Sequence, residues 1–259
     1  MWRVLVLGIG DIGSAVAHRL FRAGELAAIQ DDPRPATSRR RMAFVDAMFD
    51  GETQLTGVIA RLVSPAKLSP STWSVRFIPV TATATASAIE KLRPDVIVDA
   101  RMKKRAHPER FKRLARLTIG VGPGFVAGET VDVAVETDWR NPGRILRTGP
   151  AASARPHAPN GSGRERVLYA PGAGMFTSPC DIGDVIRRGE TIAKIGRRAV
   201  RAPLAGRLRG LARSGEPVAA GAEIAEIVPA GVDEKIVGIA ERPRRIADSV
   251  LTLVRELRG

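Results

Sequence analysis

The apolar run Val4-Leu5-Val6-Leu7 passes directly into Gly8-Ile9-Gly10-Asp11-Ile12-Gly13. Apolar residues then recur at helical spacing, at Ile12, Val16, Leu20 and Phe21, before Gly24 closes the segment. No other stretch limits the fold so tightly: a buried strand, a tight glycine turn and an amphipathic helix are expected. In this spacing Gly8 makes the turn, Gly10 lets the backbone approach a pyrophosphate and Gly13 lets the helix pack against the strand. The N–H groups at the start of the helix suit an anion. A second apolar strand over residues 26–30 ends at Asp31-Asp32, where a carboxylate can take a ribose hydroxyl. Asp11 works the other way, since its charge helps cap the helix but opposes a phosphate. The bland reading is that these glycines serve packing alone.

The rest of the first 149 residues supplies further candidates. Residues 36–48 have helical periodicity, with Arg39-Arg40-Arg41 near the start. Arg39 and Arg40 are expected either to clamp an anion beside the glycine turn or to form a solvated face. The near-continuous apolar run Asp95-Val96-Ile97-Val98-Asp99 reads as a central parallel strand. It delivers Asp99 and the basic run Arg101, Lys103, Lys104, Arg105 at its carboxyl end, where open α/β sheets bind ligands. Leu117-Thr118-Ile119 is expected to be the next strand. It runs into a glycine-rich loop whose Gly122-Pro123-Gly124 must turn sharply or approach something closely. Residues 131–137 and 144–148 look like a closing antiparallel pair.

At residue 150 the texture changes. Residues 150–165 are rich in Pro, Ala, Ser and Gly and are expected to be a linker. Beyond them the sequence repeats at an offset of 32: residues 170–195 and 202–227 share nine of 26 positions, among them Ala170/Ala202, Gly183/Gly215 and Ile195/Ile227. Such a repeat implies two interlocked β-halves sharing one core over residues 166–229. It resembles the biotinyl/lipoyl barrel-sandwich hybrid, in which a hairpin between the halves presents an acceptor lysine. Here the joint is Gly196-Arg197-Arg198-Ala199-Val200-Arg201, without a lysine, and Lys194 lies inside the preceding strand pattern. Neither biotin nor lipoate is therefore expected. Residues 230–259 are expected to hold a strand-like piece at 235–240 and an amphipathic helix. The fold class expected from the whole is α/β, a Rossmann-like doubly wound parallel sheet over residues 1–149 followed by a small all-β domain.

Charge and cysteine content narrow the function. The net charge of +14 invites a nucleic-acid reading. The excess is spread, however: 23 Lys/Arg against 15 Asp/Glu over residues 1–150, and 18 against 12 beyond. One tyrosine and few other aromatics are available for base stacking, so no nucleic-acid partner is expected. No apolar run reaches the length of a membrane span, and a single cysteine, Cys180, fits a reducing cytoplasm. His18, His107 and His157 lie in unrelated contexts, so no metal site is expected, and no nucleophile–base pair identifies a catalytic residue.

Several stretches together are similar to the YqeB-like accessory proteins encoded with selenium-dependent molybdenum hydroxylases. They are residues 8–13 with Arg19-Leu20, residues 35–40 with Phe44 and Ala47, Val98-Asp99-Ala100, residues 119–125, Val135-Glu136-Thr137, Gly143-Arg144 and the repeat. The chain departs from that pattern after Thr137, where Asp138-Trp139-Arg140-Asn141-Pro142 replace an Arg-Gly-His stretch. The resemblance implies a maturation factor that handles a nucleotide or a molybdopterin-type cofactor, with a molybdenum enzyme as client. The competing expectation is an NAD(P)-dependent oxidoreductase, which needs a proton donor or acceptor; Asp99 is the candidate by position. A homo-oligomer is compatible with either.

Overall fold

A computed structural model describes residues 1–102, 109–152 and 165–258. It divides into two units that are not consecutive in the chain. The first comprises Met1–Pro35, Ala43–Arg155 and Ile239–Gly259; the second comprises Ala36–Met42 and Pro156–Gly238. Most of the expected linker, residues 153–164, lies outside the described residues, as do Lys103, Lys104, Arg105, His107 and His157.

The first unit begins as its apolar periodicity dictates: β1 (Arg3–Leu7), α1 (Asp11–Arg22) and β2 (Leu26–Asp31). It continues through α2 (Ala47–Asp50), the hairpin β3 (Glu52–Leu55) and β4 (Val58–Leu62), β5 (Ile78–Ala82), α3 (Thr85–Leu92) and β6 (Val96–Asp99). β7 (Leu117–Val121), β8 (Val126–Ala127), β9 (Val133–Val135), β10 (Ile145–Leu146) and β11 (Gly149–Pro150) follow, and α4 (Glu241–Glu256) returns from the end of the chain. One nine-stranded sheet results, in the order β10-β9-β7-β6-β1-β2-β5-β4-β3. β3 and β10 run antiparallel to their neighbours at its two edges, and the strands between are parallel.

Alternate residues of each strand face opposite sides. Val4, Val6, Ile29, Val96 and Val98 join α1 and α4 in one core. Leu5, Leu7, Ala28 and Ile97 face the other side with Ala88 and Leu92 of α3. That second side is closed in large part by irregular chain: Leu68, Phe111 and Phe125 lie in its core. Between β6 and β7, and between β7 and β9, no helix occurs among the described residues.

These features correct the expected fold class. The sheet is large and mixed with few helices, not a doubly wound Rossmann-like sheet. The reason is physical: aromatic side chains on loops bury the apolar face that crossover helices would otherwise cover. Nucleotide binding therefore no longer follows from fold class. The helix expected over residues 36–48 is also replaced, by a 3₁₀ turn at Arg40–Met42 and the four-residue α2. Lys235 to Ala240 forms no strand.

The second unit contains β12 (Val167–Tyr169), β13 (Gly174–Thr177), β14 (Val185–Ile186), β15 (Thr191–Ile195), β16 (Arg198–Arg201), β17 (Gly206–Leu211), β18 (Pro217–Val218) and β19 (Glu223–Pro229). The repeat halves exchange strands: β14 of the first pairs with β17 of the second, and β18 of the second pairs with β13 of the first. They share a core of Phe176, Ile192, Leu208, Ile224 and Ile227. The strands form two four-stranded antiparallel sheets, β12-β19-β17-β14 and β16-β15-β13-β18. The expected small barrel-sandwich domain is corrected accordingly. Its strands stop at short, separate ladders, and the unit takes in residues 36–42 from far upstream.

No helix among the described residues is long and apolar enough to cross a membrane.

Candidate functional site

Because the seven inner strands of the first unit are parallel, their carboxyl ends share one edge. That edge carries the glycine turn after β1, Asp31 at the end of β2, Asp99 at the end of β6, Gly122-Pro123-Gly124 after β7 and Thr137 after β9.

The glycine turn is shaped by close approach. Gly8 has φ +105°, and a Cβ on it would lie 2.9 Å from the Ala100 backbone, where L side chains do not fit. A Cβ on Gly13 would overlap the Gly8 carbonyl oxygen. Gly10 differs: at φ −62° and ψ −179° it is the extended residue that starts α1 and makes no side-chain cap. Its N–H has no hydrogen-bond partner among the described residues. Ser14 locks the turn from below, donating to the Ile9 carbonyl at 2.8 Å and accepting from the Phe44 N–H at 2.9 Å.

The carboxylates at this edge are already engaged. Asp31 accepts from the Ile9 N–H and from the Asp32 N–H, each at 2.7 Å. Burial pushes the Asp31 carboxyl up from its ordinary value, against the pull of those two amides. Asp11, the first residue of α1, accepts from the adjacent Ile12 N–H at 3.0 Å. Asp99 is bound by Arg101 through Nε at 3.0 Å and Nη2 at 2.6 Å, with side chains only 5% and 10% exposed. Burial disfavours the Arg101 charge, but Asp99 and Glu109 outweigh it and hold the guanidinium above its ordinary value. Strand alternation sets the two carboxylates on opposite sides of the sheet: Asp31 shares parity with Ile29 and Asp99 with Ile97.

The loops after β7 and β9 and the start of α4 meet beside Met102, the neighbour of Arg101. Gly122, at φ +102°, leaves no room for a Cβ, which would lie 2.7 Å from Met102 Sδ and 3.4 Å from Thr137 Oγ1. Arg242, in the first turn of α4, donates from Nε and Nη2 to the Thr137 carbonyl at 2.9 and 2.7 Å. Its guanidinium lies 4.6 Å from the centre of the Trp139 ring. Sequence reasoning missed Trp139 and Arg242 as a pair, because no spacing rule links residues so far apart. Arg101 was legible only as part of a basic run.

The structure thus brings Gly8, Gly10, Asp11, Gly13, Asp31, Asp99, Gly122, Pro123 and Gly124 to one edge. Arg39 and Arg40 are held elsewhere in the chain's bonding. Both belong to the second unit, where Arg39 Nε donates to Glu226 at 2.6 Å and Arg40 Nε to the Leu211 carbonyl at 3.0 Å. The buried Glu226 carboxylate thus takes the Arg39 guanidinium. Cys180 is half-buried, and burial pushes its thiol up, away from the thiolate form. Among the described residues no group of three or more His, Cys, Asp or Glu is placed to hold a metal ion.

Lys194 lies exposed in β15, paired opposite Ala199 of β16. The intact mass of the chain from its native host is expected to carry no biotinyl or lipoyl addition. Such an addition on Lys194 would contradict the reading of the repeat.

The chain is similar to the uncharacterized protein YqeB of Escherichia coli K12, with 34% identity over 253 residues that cover 96% of this chain and 46% of YqeB. It thus spans about half the length of that relative. No family model matches. Among solved structures it is similar to the apo ectoine utilization protein EutE (DoeB) of Ruegeria pomeroyi, at 12% identity and TM-score 0.27, over 88% of this chain and 86% of that one. An aspartoacylase family protein of Mesorhizobium loti gives 13% and 0.28, over 90% and 87%. A succinylglutamate desuccinylase/aspartoacylase of Rhodobacter sphaeroides gives 16% and 0.28, over 90% and 87%.

Proposed function

We propose that the chain is an accessory protein that holds a small anionic cofactor, a nucleotide or a pterin, at the carboxyl edge of the nine-stranded sheet. The observation that carries this reading is the Gly10 position. An extended glycine whose N–H has no partner among the described residues is the N-cap of α1 and makes no side-chain cap, among loops from four further strands. A phosphate fits there because helix N-termini attract anions. Asp31 and Asp11 tune that attraction downward, although their oxygens are turned onto Ile9, Asp32 and Ile12. The client, a molybdenum-dependent enzyme whose cofactor is matured, is assigned from the sequence resemblance; the chemistry of the edge supports the cofactor.

The oxidoreductase alternative needs a group free to move a proton. Asp99 is held through both oxygens by Arg101, which speaks against that reading. Native mass spectrometry of freshly purified protein tests the proposal. A retained mass, released on denaturation and matching a nucleotide or pterin, is expected. A bare chain that also gains no mass on incubation with either class would contradict it.

A further inference from the structure

Trp139 is 40% exposed and joins neither core cluster of the first unit. Burying an indole is strongly favourable, so an exposed one held in place calls for a reason. This one is held. The loop that carries it is closed by the Gly143 N–H to the Glu136 carbonyl at 2.8 Å, the Asn141 N–H to the Asp138 carbonyl at 3.2 Å, and the Arg140 N–H to Asp138 Oδ1 at 2.9 Å. Arg242 braces the ring from α4 and is itself fixed by two hydrogen bonds to Thr137. A Cβ on Gly143 would lie 2.9 Å from the Arg245 carbonyl oxygen, so the loop sits directly on that helix. The result is a pre-oriented aromatic surface at the ligand edge.

Its place along the edge fixes what it suits. β9 is separated from β1 by β6 and β7, which puts the loop after β9 about 14 Å from the glycine turn, three spacings of roughly 4.8 Å. A phosphate on the turn and a ring on Trp139 are separated by more than a single phosphate–sugar link spans, so the ring must be carried beyond a pyrophosphate, as the far ring of a dinucleotide is.

We propose that Trp139, braced by Arg242, is the stacking platform for the far ring of a ligand built as ring–pyrophosphate–ring. This rests on the reading of the glycine turn as the phosphate site and adds a specificity determinant to it. Aromatic stacking holds any planar heterocycle, so nicotinamide, flavin and pterin dinucleotides share the required chemistry.

Calorimetric titrations with NAD, FAD and a pterin dinucleotide distinguish these sources. They are run on the full chain and on Trp139→Ala, Trp139→Phe and Gly10→Val. At least one of the three is expected to bind the wild type. That ligand should bind Trp139→Ala about 10- to 100-fold more weakly and Trp139→Phe within about threefold, since a phenyl ring still stacks. It should also quench indole fluorescence in Trp2→Phe/Trp73→Phe but not in Trp139→Phe. Undiminished binding to Trp139→Ala, with binding to Gly10→Val lost, overturns the platform and leaves the phosphate site standing. Failure of all three ligands to bind the wild type, or equal binding by Gly10→Val, overturns both.

Discussion

Replacing Glu226 with alanine is expected to destabilise the second unit by about 3–5 kcal/mol, the cost of leaving buried charges without their partner. Glu226 is 5% exposed and sits among Arg39 at 2.6 Å, Arg209 at 2.9 Å and Arg166 at 3.9 Å. Arg209 reaches it from a β-bulge, where the register between β17 and β19 shifts between Leu208 and Gly210. Glu234 pairs with Arg166 and lies 3.3 Å from Arg209. The cluster also anchors residues 36–42. Ser38 donates to Glu223 at 2.7 Å, and the Leu211 N–H donates to the Ser38 carbonyl at 2.7 Å. Removing the carboxylate therefore takes a partner from three guanidinium groups at once, leaves Glu234 as the carboxylate for Arg166 and Arg209, and loosens an upstream segment.

The pH dependence has a definite sign. Burial pushes the Glu226 carboxyl up, but Arg39 and Arg209 outweigh it and hold it below the ordinary value of 4.5; Arg166 holds Glu234 down likewise. A depressed folded-state pKa contributes stability that is present above the unfolded value and lost as pH falls through the folded value. Urea unfolding is thus expected to show the second unit weakening below about pH 4.5, with a shallower slope in Glu226→Gln. Equal stability of Glu226→Ala and wild type at pH 7 would contradict this description of the cluster.

Local periodicity made the start of the first unit readable. Val4-Leu5-Val6-Leu7, the glycine spacing and Ile12-Val16-Leu20 each act within a few residues, and β1, α1 and β2 follow from them. The repeat was readable for a similar reason: equal spacing of turn glycines forces equivalent strands, and β13 and β17 form at equivalent positions. What escaped were decisions taken over long sequence separations. Residues 36–48 carry a helical pattern, but Ser38 and Arg39 find strand and carboxylate partners near residues 211–226, and tertiary bonding overrides the local preference. The mixed sheet depends on Phe111 and Phe125 covering a face from loops, which no periodicity reports. Asp99 was visible as an edge carboxylate, yet its capture by Arg101 turns a candidate proton acceptor into a fixed ion pair. Trp139 and Arg242 meet only because α4 returns across the sheet.

The largest functional effect is expected from Gly10→Val. Gly10 occupies an extended conformation that valine adopts without left-handed strain, so the variant should keep its fold and its unliganded melting temperature. Its side chain would cover the N–H and the start of α1, the space a phosphate needs. A ligand at 100 times its Kd stabilises a protein by about 2.7 kcal/mol. For a chain of this size that is a rise of roughly 5–10 °C in melting temperature. The direct measurement is a thermal-shift titration of wild type and Gly10→Val with nucleotides and pterins. A rise in the wild type that is absent from the variant is the result expected of a cofactor site on the glycine turn. Identical shifts in the two proteins, or none in either, would contradict it.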